Sequence, residues 1–223
     1  MSKLLPVVVI GFGGHGRVVA SALKASGMRV IAATDLNPDA VRTNSMQIEI
    51  LTDEELLSMY KPGEVLLALG VGSVGPSACG GLSRQIVESF RNLGYGFTGF
   101  QHPAAWVAED AILAPTAQIH AGAIVQPGAM VGDFSIVNTS ASLDHDTQVG
   151  AFCHIAPGAT LSGNVTVGDG SHLGTGCNVI QGVKIGACCL IAAGATVVRD
   201  VFDHDSVRGV PAKSFSPRVH TND

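Results

Sequence analysis

Aromatic side chains are scarce in this sequence, 5% of 223 residues, and charged ones reach only 14%. With so few large rings, a core must be built from Val, Ile, Leu and Ala, a composition that suits repetitive β structure. Hydrophobic residues at 46% exclude general disorder. Basic residues are scattered and the net charge is -5, which argues against nucleic acid as a partner, because backbone binding needs clustered cations. No apolar stretch is long enough to span a bilayer. The apolar run at 4–10 breaks into glycines and carries no A-x-A-like cleavage site, so it reads as a first strand rather than a signal peptide. Without a secretion signal, the five Cys are expected to be reduced thiols of a cytoplasmic protein.

What is abundant is glycine, 28 residues, and a change of period divides the chain in two. Strands are expected at 4–10, 28–34 and 64–70, alternating with helices at 17–26, 52–60 and 79–93. Thr52, ahead of Asp53, Glu54 and Glu55, has the character of a helix cap. This alternation predicts a small Rossmann-like parallel α/β domain over residues 1–102.

From Val107 onward an aliphatic residue falls at every sixth position, through Leu113, Ile119 and Val125 to Ile185, Ile191 and Val197. The residue four places after each is small or β-branched, as at Ala111, Ala117, Ala129, Thr147, Cys153 and Ala195. Sixteen consecutive matches at two positions of a hexad make a real repeat. Cys153, Cys177 and Cys189 fall on the small position and read as packing residues. In this region, over roughly 105–215, the sequence resembles the hexapeptide-repeat family. The resemblance implies a left-handed parallel β-helix in which three hexads make one triangular coil. It assigns residues 103–223 to an acetyl-CoA-binding catalytic domain with a C-terminal tail.

In such a prism, residues eighteen apart lie one above another, so Gly163 stacks on His145 and His172 on His154. An imidazole beside an uncovered glycine amide offers a base and an oxyanion donor in one place. Asp144 or Asp146 is available to hold its tautomer. The alternative is a surface histidine between two solvated carboxylates. A metal site needs three converging histidines, a spacing that His120, His145, His154 and His172 do not provide.

The run from Asn138 to Asp146, with Cys153 to Gly158 after it, resembles a narrower group: the nucleotide-sugar acetyltransferases acting on 4-amino-4,6-dideoxy sugars, with the related sialic-acid O-acetyltransferases. The resemblance implies that His145 is the catalytic base and Asp146 its partner, that His154 lies near the acetyl-CoA thioester, and that Gly163 donates its amide to the acetyl carbonyl. It further implies that pantetheine lies on Ala192 and Ala193, that Lys213 in the tail Arg208-Gly209-Val210-Pro211-Ala212-Lys213 faces a CoA phosphate, and that the enzyme is a homotrimer with acetyl-CoA between adjacent prisms. A solvated Lys after a Pro turn and a corner-shielding His172 remain the structural alternatives.

Gly11-Phe12-Gly13-Gly14-His15-Gly16 is a G-x-G-x-x-G between a strand and a helix, suited to phosphate approach at a helix N-terminus. Asp35, ending the second strand, is placed to accept ribose hydroxyls. One mononucleotide half cannot cradle a dinucleotide, so a nucleotide-linked sugar is the expected occupant, with Gly11, Gly13, Gly14, His15, Asp35 and Gly72 as its contacts. A glycine turn used only for packing is the alternative. Leu69 to Ser73 would complete the site, and Arg84 either reaches a phosphate or lies on the helix surface. The expectation is an acetyl-CoA-dependent N-acetyltransferase of a UDP- or GDP-linked amino sugar. The rivals are an O-acetyltransferase, a non-catalytic nucleotide-binding scaffold and, last, a nicotinamide-dependent oxidoreductase.

Overall fold

The computed structural model describes residues 5–41, 45–72, 79 and 81–216. The first part is a five-stranded parallel sheet made of β1 (Val7–Ile10), β2 (Val30–Thr34), β3 (Glu49–Leu51), β4 (Leu66–Leu69) and β5 (Gly96–Phe97). Their spatial order is β3-β2-β1-β4-β5, so the chain reverses direction of travel beside β1. Helices α1 (Gly14–Ala25) and α2 (Pro38–Val41) precede β2 and β3, while α3 (Asp53–Met59) and α4 (Gly81–Asn92) precede β4 and β5. All four β1 residues are buried, as befits a strand covered on both sides.

One face of the sheet packs Val7, Val9 and Ala33 against Val19, Ala20 and Leu23 of α1. The opposite face packs Val8, Ile10 and Leu67 against Leu56 of α3 and Phe90 of α4. The expected cap of α3 is present as a full capping box, in which Thr52 Oγ1 accepts from the Glu55 amide at 3.1 Å and Glu55 accepts from the Thr52 amide at 2.8 Å. The short β3, α2 and β5 were not among the expected elements; two to four residues are too few to show a period.

From Phe100 the chain winds as a left-handed β-helix built of two-residue strands. Each strand pairs in parallel with the strand one coil on, so that Ser142 and Leu143 lie beside Thr160 and Leu161, and His154 beside His172. Three flat faces result. The first runs through Phe100–Gln101, Gln118–Ile119, Ile136–Val137, His154–Ile155, His172–Leu173 and Leu190–Ile191. The second includes Ile124–Val125, Ser142–Leu143 and Thr160–Leu161, and the third Met130–Val131, Gln148–Val149 and Thr166–Val167.

Side chains alternate along a strand, so the second residue of each points inward and the hexad aliphatics stack into one core. Leu143, Ile155, Leu161 and Leu173 have no exposed surface. The small position fills the corners, where Ala123, Ala141 and Ala159 are equally buried. The corners also carry a backbone signature: positive φ recurs every sixth residue from Gly122 and Gly128 through Phe134, Ser140, Asp146, Phe152 and Gly158 to Cys188 and Gly194. A left-handed residue disfavours L side chains, which is why glycine is abundant in this half.

The α/β domain sits on the first face. Gln118 Nε2 donates to the Leu69 carbonyl at 2.7 Å, and Phe97 meets Phe134 edge-on at 5.4 Å. Phe134 stacks on Phe152 at 4.9 Å, with the Arg91 and Arg84 guanidiniums over the two rings. Arg84 also reaches Asp169 at 3.9 Å, so it serves this junction and not a nucleotide phosphate.

One thiol expectation is corrected. Cys79 and Cys188 form a disulfide across 109 residues of sequence, because the Cys79 backbone lies on Gly170 and its sulfur meets Cys188 one coil above. Cys153, Cys177 and Cys189 are buried free thiols, as expected of packing residues. Burial pushes the Cys153 thiol up to about 11 and the Cys177 thiol up to about 12, so both stay neutral. Shortening one core residue tests how tightly the coils stack. Leu161→Ala is expected to cost about 2–5 kcal/mol of stability in urea unfolding, and a loss under about 1 kcal/mol would contradict a close-packed interior.

Candidate functional site

A cavity of about 430 Å³ opens at the carboxyl edge of the parallel sheet, where the chain order reverses. It is lined by the Gly11–His15 loop, by Thr34, Asp35 and Leu36 after β2, by Asp53 after β3, and by Gly70 and Val71 after β4. The glycines divide the labour. Gly11 takes φ +89° to turn the chain out of β1, a conformation that favours glycine. Gly16 lies inside α1, where a Cβ would overlap the Gly11 carbonyl, so its role is close helix–strand contact. Gly13 and Gly14 face open space and leave room for an approaching group. Asp35 Oδ1 accepts from the Asn37 amide at 2.9 Å, leaving its second oxygen available. Gly72 lies against the His15 ring rather than in the cavity wall, and Ser73 falls outside the described residues.

His15 links this cavity to the β-helix. Its ring lies 5.6 Å from that of His120 and 6.3 Å from that of His154. Burial, then the neighbouring His154, hold the His15 imidazole down at about 4 and keep it neutral near pH 7. Burial likewise holds His120 at about 3. The Nε2 atoms of both rings are buried without a hydrogen-bond partner. Asn138 continues the group. Its Oδ1 accepts from the Thr139 amide at 2.8 Å, which turns Nδ2 toward His154 Nε2 at 3.0 Å. His154 Nε2 therefore accepts, and its proton sits on Nδ1. The His154 and His172 rings meet edge-on at 4.9 Å, one coil apart.

A second constellation occupies a corner of the prism. His145 Nδ1 lies 2.8 Å from Asp146 Oδ2, while Asp144 Oδ1 accepts from the His145 backbone amide at 2.7 Å. Asp146 is thus the carboxylate that holds the ring. It fixes the proton on Nδ1 and leaves Nε2 as the basic atom. The hydrogen bond to Asp146 raises the imidazole pKa above its ordinary 6.5, with Asp144 adding to the rise. A Cβ on Gly163 would overlap His145 Nε2, so the missing side chain makes room for the ring. The Gly163 amide donates to no backbone carbonyl among the described residues.

The two constellations are apart. His145 and Gly163 lie at the corner between the second and third faces, opposite the first face on which the α/β domain sits. His154, with the Gly loop beside it, is on that first face; Ala192 and Ala193 follow it at the corner leading to the second. Lys213 is farther along, in a hairpin pairing it with Arg208. One chain therefore does not unite the His145–Asp146 pair with the other predicted contacts. The sequence reading missed Gln118, His120 and the Phe134–Phe152 pair as junction residues. They occupy ordinary outward or corner places in the hexad, and only contact across the domains distinguishes them. Among the described residues no group of three or more His, Cys, Asp or Glu could hold a metal ion.

A mononucleotide-type cavity docked on a hexapeptide β-helix bearing a histidine–carboxylate pair defines a two-domain acyltransferase class. Residues 6–74 match the family model described as the PglD N-terminal domain. PerB from Caulobacter crescentus, solved in complex with CoA and GDP-perosamine, is 33% identical, with 96% of this chain and 99% of that one aligned at a TM-score of 0.86. The acetyltransferase domain of PglB from Neisseria gonorrhoeae, solved with acetyl coenzyme A, is 34% identical over 96% of this chain and 100% of that one, with a TM-score of 0.85. WeeI from Acinetobacter baumannii shares the fold at 18% identity and a TM-score of 0.76, covering 95% of this chain and all of that one. No curated protein sequence matches. The chain belongs to the hexapeptide-repeat nucleotide-sugar N-acetyltransferases and is an acetyl-CoA-dependent acyltransferase.

The glycine loop gives a direct test of packing. Gly16→Ala is expected to cost about 1–3 kcal/mol through overpacking, whereas Gly14→Ala meets no atom within 4 Å and leaves the thermal midpoint nearly unchanged. Equal midpoints for both variants would show that Gly16 is not a contact residue.

Proposed function

We propose that this enzyme transfers the acetyl group of acetyl-CoA to the 4-amino group of a nucleotide-linked 4-amino-4,6-dideoxy sugar. The observation that carries the reading is the His145–Asp146 pair at 2.8 Å, with Nε2 against Gly163, whose amide donates to no backbone carbonyl among the described residues. His145 Nε2 takes the proton released as the neutral amine attacks the thioester carbonyl. Asp146 keeps the imidazolium stable in that moment. The Gly163 amide donates to the tetrahedral oxyanion, and the intermediate collapses with CoA thiolate leaving. An amine is nucleophilic enough once neutral, so no acyl-enzyme is required.

Residues 1–102 hold the nucleotide through the Gly loop, with Gly11, Gly13, Gly14 and Gly72 shaping it, His15 beside the sugar and Asp35 on the ribose. Residues 103–223 hold acetyl-CoA through His154, Gly163, Ala192, Ala193 and Lys213. The amino sugar of the relative PerB and the acetyl coenzyme A of the PglB domain support this division. The split site supports a homotrimer, in which the His145 corner of one copy meets the Ala192 corner and nucleotide cavity of the next. Exposed Trp106, Ile112, Ile124 and Met130 on the second and third faces favour burial by another copy.

Replacing the base tests the chemistry. His145→Ala is expected to lower kcat by about 10²–10⁴-fold, the usual contribution of general-base catalysis, with an unchanged unfolding curve; near-normal turnover with both UDP- and GDP-linked amino sugars would refute the role. The pH profile tests Asp146. A base acts in its neutral form, so kcat/KM rises with pH through the elevated His145 pKa. Asp146→Asn removes the largest cause of that elevation, and the acidic limb is expected to move down toward 6.5. A limb that stays in place would assign it to another group.

A further inference from the structure

The nucleotide cavity has an end that the Gly loop and Asp35 do not use. On the β3 side it is bounded by Asp53, the first residue of α3, and by Leu36 after β2. The sheet order puts these elements in sequence along the carboxyl edge: the loop after β1, then Asp35 after β2, then Asp53 after β3. A nucleotide with its phosphates at the loop and its ribose at Asp35 therefore directs its base toward Asp53. Leu36 is fully exposed although it borders a cavity. A large apolar side chain left open at a cavity rim suits the flat face of a heterocycle, which would cover it.

The polar edge available to that base is a carboxylate. The Asp53 side chain is exposed and has no hydrogen-bond or ion-pair partner among the described residues. The α3 cap is complete without it, through Thr52 and Glu55. A carboxylate only accepts, and it accepts best from two donors side by side. Guanine offers such a pair in N1–H and the N2 amino group. Uracil offers one N–H between two carbonyls, whose oxygens would face the carboxylate. Adenine and cytosine each present one amino donor beside a ring acceptor.

We infer that Asp53, beside Leu36, reads the base of the bound nucleotide and selects guanine over uracil. This rests on the cavity being the nucleotide site, as proposed above. Asp53 is a specificity residue and takes no part in acetyl transfer.

Titration calorimetry of the full chain with GDP, UDP and ADP separates the possibilities. The wild type is expected to bind GDP at least about 10-fold tighter than UDP or ADP, the discrimination of one bidentate pair. Asp53→Asn offers one acceptor and one donor, so the GDP preference is expected to fall to within about 3-fold while UDP binding holds or improves. Leu36→Ala is expected to weaken GDP and UDP alike and leave their ratio unchanged. An acidic first turn also stabilises a helix, which is why the readout is the ratio of affinities and not stability. Equal or tighter UDP binding by the wild type, or a full GDP preference in Asp53→Asn, would overturn the inference while leaving the nucleotide site intact. Binding of none of the three would remove both.

Discussion

The structure depends on a backbone constraint that returns every six residues. At each corner from Gly122 to Gly194 one residue adopts positive φ, and the chain turns by the same amount each time. Only a constant turn brings residue 143 directly beside residue 161, and residue 155 beside residue 173, in parallel pairs. The aliphatic stack then follows, because two-residue strands bury little individually and become stable only as a continuous column. Seven of these corners are glycine, and the others include Asp146, Phe134 and Phe152. The remaining three are Ser140, Asn164 and Cys188. Left-handed L residues cost about 1–2 kcal/mol each, so the stacking of the coils must offset that cost at six corners.

The same constraint determines the chemistry at the His145 corner. Exact stacking puts a glycine beside an imidazole, and Asp146, itself in the left-handed conformation, turns its carboxylate back onto Nδ1. The tautomer, the exposed Nε2 and the free amide are all consequences of corner geometry. Burial acts in the opposite direction at the other constellation. His15 and His120 are held far below the ordinary histidine range by the dry junction between domains, and so remain neutral. Histidines in one chain thus stand in opposite settings: His145 is raised by its carboxylate neighbours, while His15 and His120 are kept uncharged beside the cavity at the sheet edge.

Much of this was legible beforehand. The hexads from Val107 to Val197 name the core residues, because period six is too long-lived to arise by chance; every aliphatic from Ile119 on is buried, and only Val107 and Leu113 in the first coil are half-buried. The pairing of His145 with Gly163 and of His154 with His172 followed from a coil of eighteen residues. Less local features were not legible. Nothing near Cys79 in sequence signals Cys188, and Arg84 looked equally suited to a phosphate until Asp169 and Phe152 appeared beneath it. Short elements such as β3 escaped notice because three residues carry no period.

The sequence by itself determined the two architectures, the core, the corner that carries His145 and the glycine loop of the cavity at the sheet edge. These are written in local spacing, and local spacing is enforced by backbone geometry that needs no distant partner. Only the tertiary structure decided that Asp146 rather than Asp144 holds the imidazole. It also showed that the α/β domain covers the first face, and that His145 and the cavity look away from one another. Those outcomes depend on rotamers and on contacts between segments far apart in the chain, where many arrangements share one pattern and packing energy selects among them.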